Sequence, residues 1–123
     1  MADVTYNISG TVQKGGLRDS FNASAITADI ATAGVLSVTL ALGTTTSQIS
    51  TATIGSLGLA FVRNLATETT HTVSIGRLSG TTLHDTVRLK AGEAAILRLA
   101  PGDYAARAAV AGTTRAVVTI YED

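Results

Sequence analysis

Cysteine and tryptophan are absent from the 123-residue sequence, and proline occurs once. Without cysteine there is no disulfide framework and no thiolate metal site, and the redox compartment leaves no mark on the chain. Charge is scarce at 15% of residues, against about 25% in an average globular protein. Nine basic and nine acidic residues cancel. The cations Lys14, Arg18, Arg63, Arg77, Arg88, Lys90, Arg98, Arg107 and Arg115 are scattered, which argues against the concentrated positive footprint of a nucleic-acid binder. No apolar run approaches the roughly 20 residues of a membrane-spanning helix. The start, Met1-Ala2-Asp3-Val4-Thr5, has neither the basic nor the apolar region of a secretory signal. The expectation is a soluble chain made in a cytoplasm, with neither nucleic acid nor membrane as partner.

What is present is apolar and β-branched. The apolar fraction is 46%, enough for one hydrophobic core and against disorder, and the length suits a single domain over 1–123. The periodicity is two. Val4, Tyr6, Ile8 and Val12 alternate with Thr5, Asn7, Ser9 and Thr11, and Leu36, Val38, Leu40 and Leu42 alternate with Ser37, Thr39 and Ala41. Leu57–Val62 and Ala94–Leu97 are short continuous apolar runs flanked by glycine, the pattern of central strands. Near the C-terminus, Val117, Thr119 and Tyr121 alternate with Val118 and Ile120, so both faces look partly covered. Turn signals at Lys14-Gly15-Gly16, Gly43-Thr44, Gly55, Ser79-Gly80, Ala91-Gly92, Pro101-Gly102 and Ala111-Gly112 punctuate these runs. The pattern predicts strands over 4–12, 20–29, 35–42, 46–50, 57–64, 71–77, 82–89, 93–99, 103–110 and 115–121. The fold class is therefore all-β, an antiparallel sandwich of two sheets that admits a jelly roll among its topologies.

Candidate chemistry is thin. His71 and His84 are the only histidines, on adjacent predicted strands, too few for a metal site that needs three or four ligands; they read as solvent-side residues of a hairpin. No serine sits in a Gly-x-Ser-x-Gly elbow, and the acids Asp3, Asp19, Asp29, Glu68, Asp85, Glu93, Asp103, Glu122 and Asp123 read as solvated charges of turns and termini rather than a converging pair. Gly76 and Gly80 around Ser79 lack the ending of a phosphate loop. Aromatics make up only 4%; Phe61, Tyr6 and Tyr121 read as core, leaving little for a sugar platform. No catalytic, cofactor or metal residue is assigned. The surface is dominated by Thr, Ser, Ala and Gly, which are cheap to desolvate against a protein partner.

The C-terminal half carries a resemblance. Leu57-Gly58-Leu59-Ala60-Phe61-Val62-Arg63-Asn64-Leu65 is followed by Val73-Ser74-Ile75-Gly76, then by Val87-Arg88-Leu89-Lys90-Ala91-Gly92-Glu93 and Ala95-Ile96-Leu97-Arg98-Leu99-Ala100-Pro101; Tyr104-Ala105-Ala106-Arg107-Ala108 and Ile120-Tyr121-Glu122-Asp123 close the chain. This order, over about residues 57–123, resembles a group of small virion-associated structural proteins of tailed bacteriophages. The resemblance implies a non-enzymatic β-sandwich of a phage particle: a capsid decoration protein, or a component of fibre or tail, located in the virion after synthesis in the bacterial host cytoplasm. Its implied partners are other virion proteins (major capsid or tail proteins) and further copies of itself in a homo-oligomer, and it implies no cofactor. The motifs have fold roles; the Asn64 amide, for instance, is placed to cap the turn that ends its strand. The alternative is a carbohydrate- or receptor-binding module of a fibre or tail. Two segments are candidate partner contacts. The N-terminal residues Ala2, Asp3 and Val4 form an arm able to add a strand to a neighbour, and Thr44, Thr45, Thr46, Ser47 and Gln48 open a polar stretch reaching Thr51.

Overall fold

The structure, a computed structural model, describes residues 3–123. It contains ten strands, all paired antiparallel: β1 (Val4–Lys14), β2 (Leu17–Ala28), β3 (Val35–Leu42), β4 (Ser47–Ile49), β5 (Leu57–Asn64), β6 (Val73–Ser79), β7 (Thr82–Leu89), β8 (Ala94–Arg98), β9 (Tyr104–Ala108) and β10 (Thr114–Glu122). The strands predicted from alternation coincide with these to within a few residues. The chain divides into two compact units, one ending at Ala31 and one spanning Thr32–Asp123.

The second unit is a sandwich of two four-stranded sheets, ordered β3-β10-β5-β8 and β4-β9-β6-β7. Its topology follows from four pairings. β6 pairs with β7, β5 with β8, β4 with β9 and β3 with β10. The pairs are nested about the β6–β7 turn, as if one long hairpin had been rolled up so that its successive layers alternate between two sheets. That is a jelly roll. The innermost turn is the two-residue loop Gly80–Thr81 between Ser79 and Thr82, with Gly80 at a φ of 62°, a backbone that glycine adopts without a side-chain clash.

The core lies between the inner faces. Leu36, Val38, Leu40 and Leu42 of β3, Ala60 and Val62 of β5, Ala116, Val118 and Ile120 of β10, and Ala95 and Leu97 of β8 meet Val73 and Ile75 of β6, Val87 and Leu89 of β7, and Tyr104, Ala106 and Ala108 of β9. The alternation read in β3 is the alternation of this inner face. Tyr104, at the start of β9, buries its ring and donates its hydroxyl to the carbonyl of Ala100, 2.7 Å away and four residues upstream. This pins the corner between β8 and β9 in the manner of the tyrosine corners of other sandwiches. Phe61, expected in the core, lies instead on the outer face of its sheet, because the inward parity in β5 belongs to Ala60 and Val62; it is half-buried.

The first unit departs from a sandwich spanning 1–123. β1 and β2 pair only with each other, in a two-stranded sheet of their own. They are eleven and twelve residues long and joined by the two-residue loop Gly15–Gly16. Closing so short a loop costs little entropy, so the two strands pair along their facing edges and leave their outer edges unpaired. The remaining eight strands complete the roll.

Candidate functional site

The hairpin has two chemically distinct faces. Residues directly opposite one another in an antiparallel pair lie on the same face. The pairs Val4–Ala28, Tyr6–Ile26, Ile8–Ala23, Gly10–Phe21, Val12–Asp19 and Lys14–Leu17 therefore share one face, and Thr5–Thr27, Ser9–Asn22, Thr11–Ser20 and Gln13–Arg18 share the other. The first is apolar except for Asp19 and Lys14 near the tip; the second is wholly polar. Ile8, Val12, Phe21 and Leu17 are 38%, 40%, 54% and 58% exposed, so the outer half of the apolar face is open to solvent.

A bulge makes the apolar face continuous. In β2 the apolar residues sit at odd positions at Leu17 and Phe21 and at even positions at Ile26 and Ala28. A regular strand would put them on opposite faces. The pairing shifts between Tyr6 and Ile8, so that Ser24 and Ala25 together oppose Asn7 and the parity is corrected. The Asn7 side-chain oxygen accepts a hydrogen bond from the Ala25 amide at 2.7 Å, and Ala25 takes a left-handed φ of 54°. The Phe21 ring covers the bare backbone of Gly10, where a Cβ would collide with it. Nothing in the alternation of β1 announces this bulge; the change of apolar parity within β2 is the signal that reveals it.

The residues expected to touch partners are dispersed. Ala2 lies outside the described residues. Asp3 is exposed and its carboxylate accepts the amide hydrogen of Ile30 at 3.0 Å, while Val4 is already paired with Ala28. The expected free arm is thus the start of a hairpin whose unpaired edges are the outer sides of β1 and β2. Thr44 and Thr45 are exposed, Thr46 and Ser47 half-buried, and Gln48 exposed. Ser47 and Gln48 belong to β4, a three-residue edge strand paired only with β9. Short edge strands of this kind limit uncontrolled sheet extension.

Three polar clusters in the sandwich escaped the sequence reading. Thr44 contributes to a shallow recess of about 380 Å³ with Thr72, Ser74, Asp85, Arg88 and Arg107. Ser74 is paired with Arg88 on one side and Arg107 on the other, and both guanidinium groups reach the Asp85 carboxylate, at 3.5 and 3.4 Å. Asp85 is therefore part of an exposed ion-pair cluster on β7, not a charge of a turn.

His71 and His84 do not converge. The register sets His84 opposite Arg77, whereas His71 precedes β6 at the other end of that strand. Nor is His71 a solvent-side residue: it is half-buried, with Nδ1 2.8 Å from the Thr114 hydroxyl and Nε2 3.3 Å from the Glu68 carboxylate. Hydroxyl, imidazole and carboxylate stand in the order that activates a nucleophile in hydrolases. Thr114, however, is 1% exposed, so its hydroxyl offers no face to a substrate, and the arrangement fastens the 65–72 loop to β10. Among the described residues no group of three His, Asp or Glu side chains is placed to hold a metal ion.

The closing residues are structural too. Glu122 and Asp123, read as an exposed acidic terminus, hold two loops. The Glu122 carboxylate sits between Gly34 and Gly55, where a Cβ on either glycine would strike it, and accepts the Gly55 amide hydrogen at 2.8 Å. The Asp123 carbonyl accepts the Ser56 hydroxyl hydrogen at 2.6 Å, and its carboxylate pairs with Arg98 at 3.1 Å. These contacts give the C-terminal residues Glu122 and Asp123 a fold role. Comparison of the chain with family models, with curated proteins and with solved structures gives no match.

Proposed function

We propose that this chain is a non-enzymatic structural protein of a tailed-phage virion, a capsid decoration protein that works by self-association and by docking on other virion proteins. The observation that supports the reading best is the amphipathic N-terminal hairpin, which leaves apolar side chains in solvent and belongs to neither sheet of the jelly roll. Exposed apolar surface of this kind is a docking feature rather than a catalytic one. The likeness of residues 57–123 to small phage virion proteins points the same way, and jelly rolls recur among viral capsid proteins, a fold-level analogy. The low charge of the surface lowers the desolvation cost of packing many copies together.

The test is to fractionate phage particles from producing cells on a density gradient and quantify this chain in each fraction. Co-sedimentation with the major capsid protein in a fixed ratio is expected. Recovery only among free proteins at the top of the gradient refutes virion membership, and recovery with fibres or tails refutes the decoration role.

A second reading, a carbohydrate-binding module, is favoured by the recess of Thr44, Thr72, Ser74, Asp85, Arg88 and Arg107. It sets two guanidinium groups beside three hydroxyl-bearing residues and so suits an acidic sugar. Binding of sialylated or uronic glycans on an array, lost in Arg107→Ala, would establish it; a blank array removes it.

A further inference from the structure

A two-stranded sheet with one apolar face is at best marginally stable in water unless something covers that face. On the footing of the self-association proposed above, we infer that the apolar face of the β1–β2 hairpin packs against the same face of a second copy of this chain, about a two-fold axis running along the hairpin. Charge identifies the occupant. The face carries one cation and one anion, Lys14 and Asp19, on opposite strands and one pleat apart near the tip. Lys14 makes no ion pair within the chain among the described residues. A two-fold axis along the hairpin lays β1 of one copy over β2 of the other. It then brings Asp19 of each copy over the column of Lys14 in its partner, one pleat away and within reach of a lysine side chain. The patch is neutral, self-complementary and isologous, as a two-fold contact requires.

Its size sets the strength. Eleven residues at about 3.4 Å each, by roughly 10 Å across two strands, make a face of at most about 370 Å² per copy, of which the outer half is open. A stable interface of ordinary size takes about 800 Å² from each partner. The hairpin pair is therefore a weak, concentration-dependent contact, suited to copies already held side by side on a particle.

Sedimentation equilibrium on the full chain from about 1 µM to about 1 mM tests this. The wild type is expected to pass from monomer to dimer within that range. Lys14→Asp and Asp19→Lys, both at exposed positions, each turn two attractions into two repulsions and weaken self-association by roughly fivefold to tenfold. Mixed in equal amounts, the two variants restore the wild-type dissociation constant, because every cross-copy pair is again Lys with Asp. Phe21→Asp places a carboxylate at the centre of the face and removes the dimer from the range. If an oligomer forms but ignores all three changes, the hairpin assignment is overturned while self-association stands. If the wild type stays monomeric to the highest concentration, both are overturned. A mixture no tighter than its components overturns the two-fold geometry.

Discussion

Removal of the Asn64 amide is expected to be among the most damaging changes to the sandwich. Asn64 ends β5 with 0% of its surface exposed, and each of its polar atoms is used. Nδ2 donates to the carbonyls of His71 and Leu89, at 2.7 and 3.0 Å, and Oδ1 accepts the Ala66 amide hydrogen at 2.9 Å, the Asx turn that ends the strand. Its backbone is equally occupied, donating to Glu93 O and accepting from Gly92 N. Asn64→Ala leaves the Leu89 carbonyl buried without this donor, at a cost of about 1–3 kcal/mol, and removes two part-buried bonds worth about 0.5–1.5 kcal/mol each. The sum centres on about 4 kcal/mol. Urea unfolding followed by far-ultraviolet circular dichroism would register it as a fall in midpoint of about 2.7 M, for a slope near 1.5 kcal/mol per molar. Asn64→Asp is the sharper test, since it keeps shape and the Ala66 acceptor but turns both donors into a carboxylate oxygen facing two carbonyls. Burial and those carbonyls raise the carboxyl pKa of that variant above its unfolded value. Its folded form then binds more protons than its unfolded form between the two values, so stability falls as pH rises through that window and recovers on acidification. A variant as stable as wild type at pH 7, or an alanine cost below about 1 kcal/mol, would refute the role given to Asn64.

Other expectations follow from the same geometry. Tyr104→Phe keeps the ring in the core and removes only the bond to Ala100; the loss is about 1 kcal/mol, seen as a fall of roughly 4 °C in melting temperature, and no fall would remove the corner role. Gly76→Ala drives a Cβ into the His84 carbonyl at the β6–β7 bulge, where no side chain can yield. A cost of at least about 2 kcal/mol is expected by calorimetry, and wild-type stability would show that the strands separate freely there. Glu122→Ala frees the Gly55 amide and removes one of the anchors of the 50–56 loop. Limited proteolysis should then cut that loop several-fold faster with little change in global stability; an unchanged rate would show that the remaining bonds, including Ser56 to Asp123, suffice.

How far the sequence discloses this molecule depends on the range of the interaction concerned. Strands are legible to within two or three residues because alternation is local: Leu36, Val38, Leu40 and Leu42 record the inner face of β3 directly. Pairing is not local. The nested partners β3–β10 and β4–β9 are joined by no short turn, so the jelly roll, one of several topologies the strands admit, became definite only through the register. The tyrosine corner, the Glu122 cradle and the Asp85 cluster likewise depend on residues 4, 67 and 22 positions apart. Asn64 was half legible: its Asx turn reaches two residues ahead, whereas its bonds to His71 and Leu89 reach seven and twenty-five.

The hairpin shows why interaction surfaces are harder to read than cores. Val4, Tyr6, Ile8 and Val12 alternate as cleanly as the strands of the roll, and alternation alone assigns them to the same buried interior. What separates the cases is length and closure. A buried sandwich strand is limited by the depth of the core, and the strands of this roll have nine residues or fewer, whereas β1 and β2 have eleven and twelve and turn on two glycines. β1 and β2 pair in a sheet of their own, so their alternation records a face that belongs to neither sheet of the roll. The bulge at Ala25 is what keeps that face in one piece, bringing Phe21 and Leu17 into line with Ile26 at the expense of a left-handed alanine. Local strain at a single residue that preserves a continuous apolar surface in solvent is unfavourable for an isolated monomer. It makes physical sense under the proposed pairing of the hairpin with a second copy.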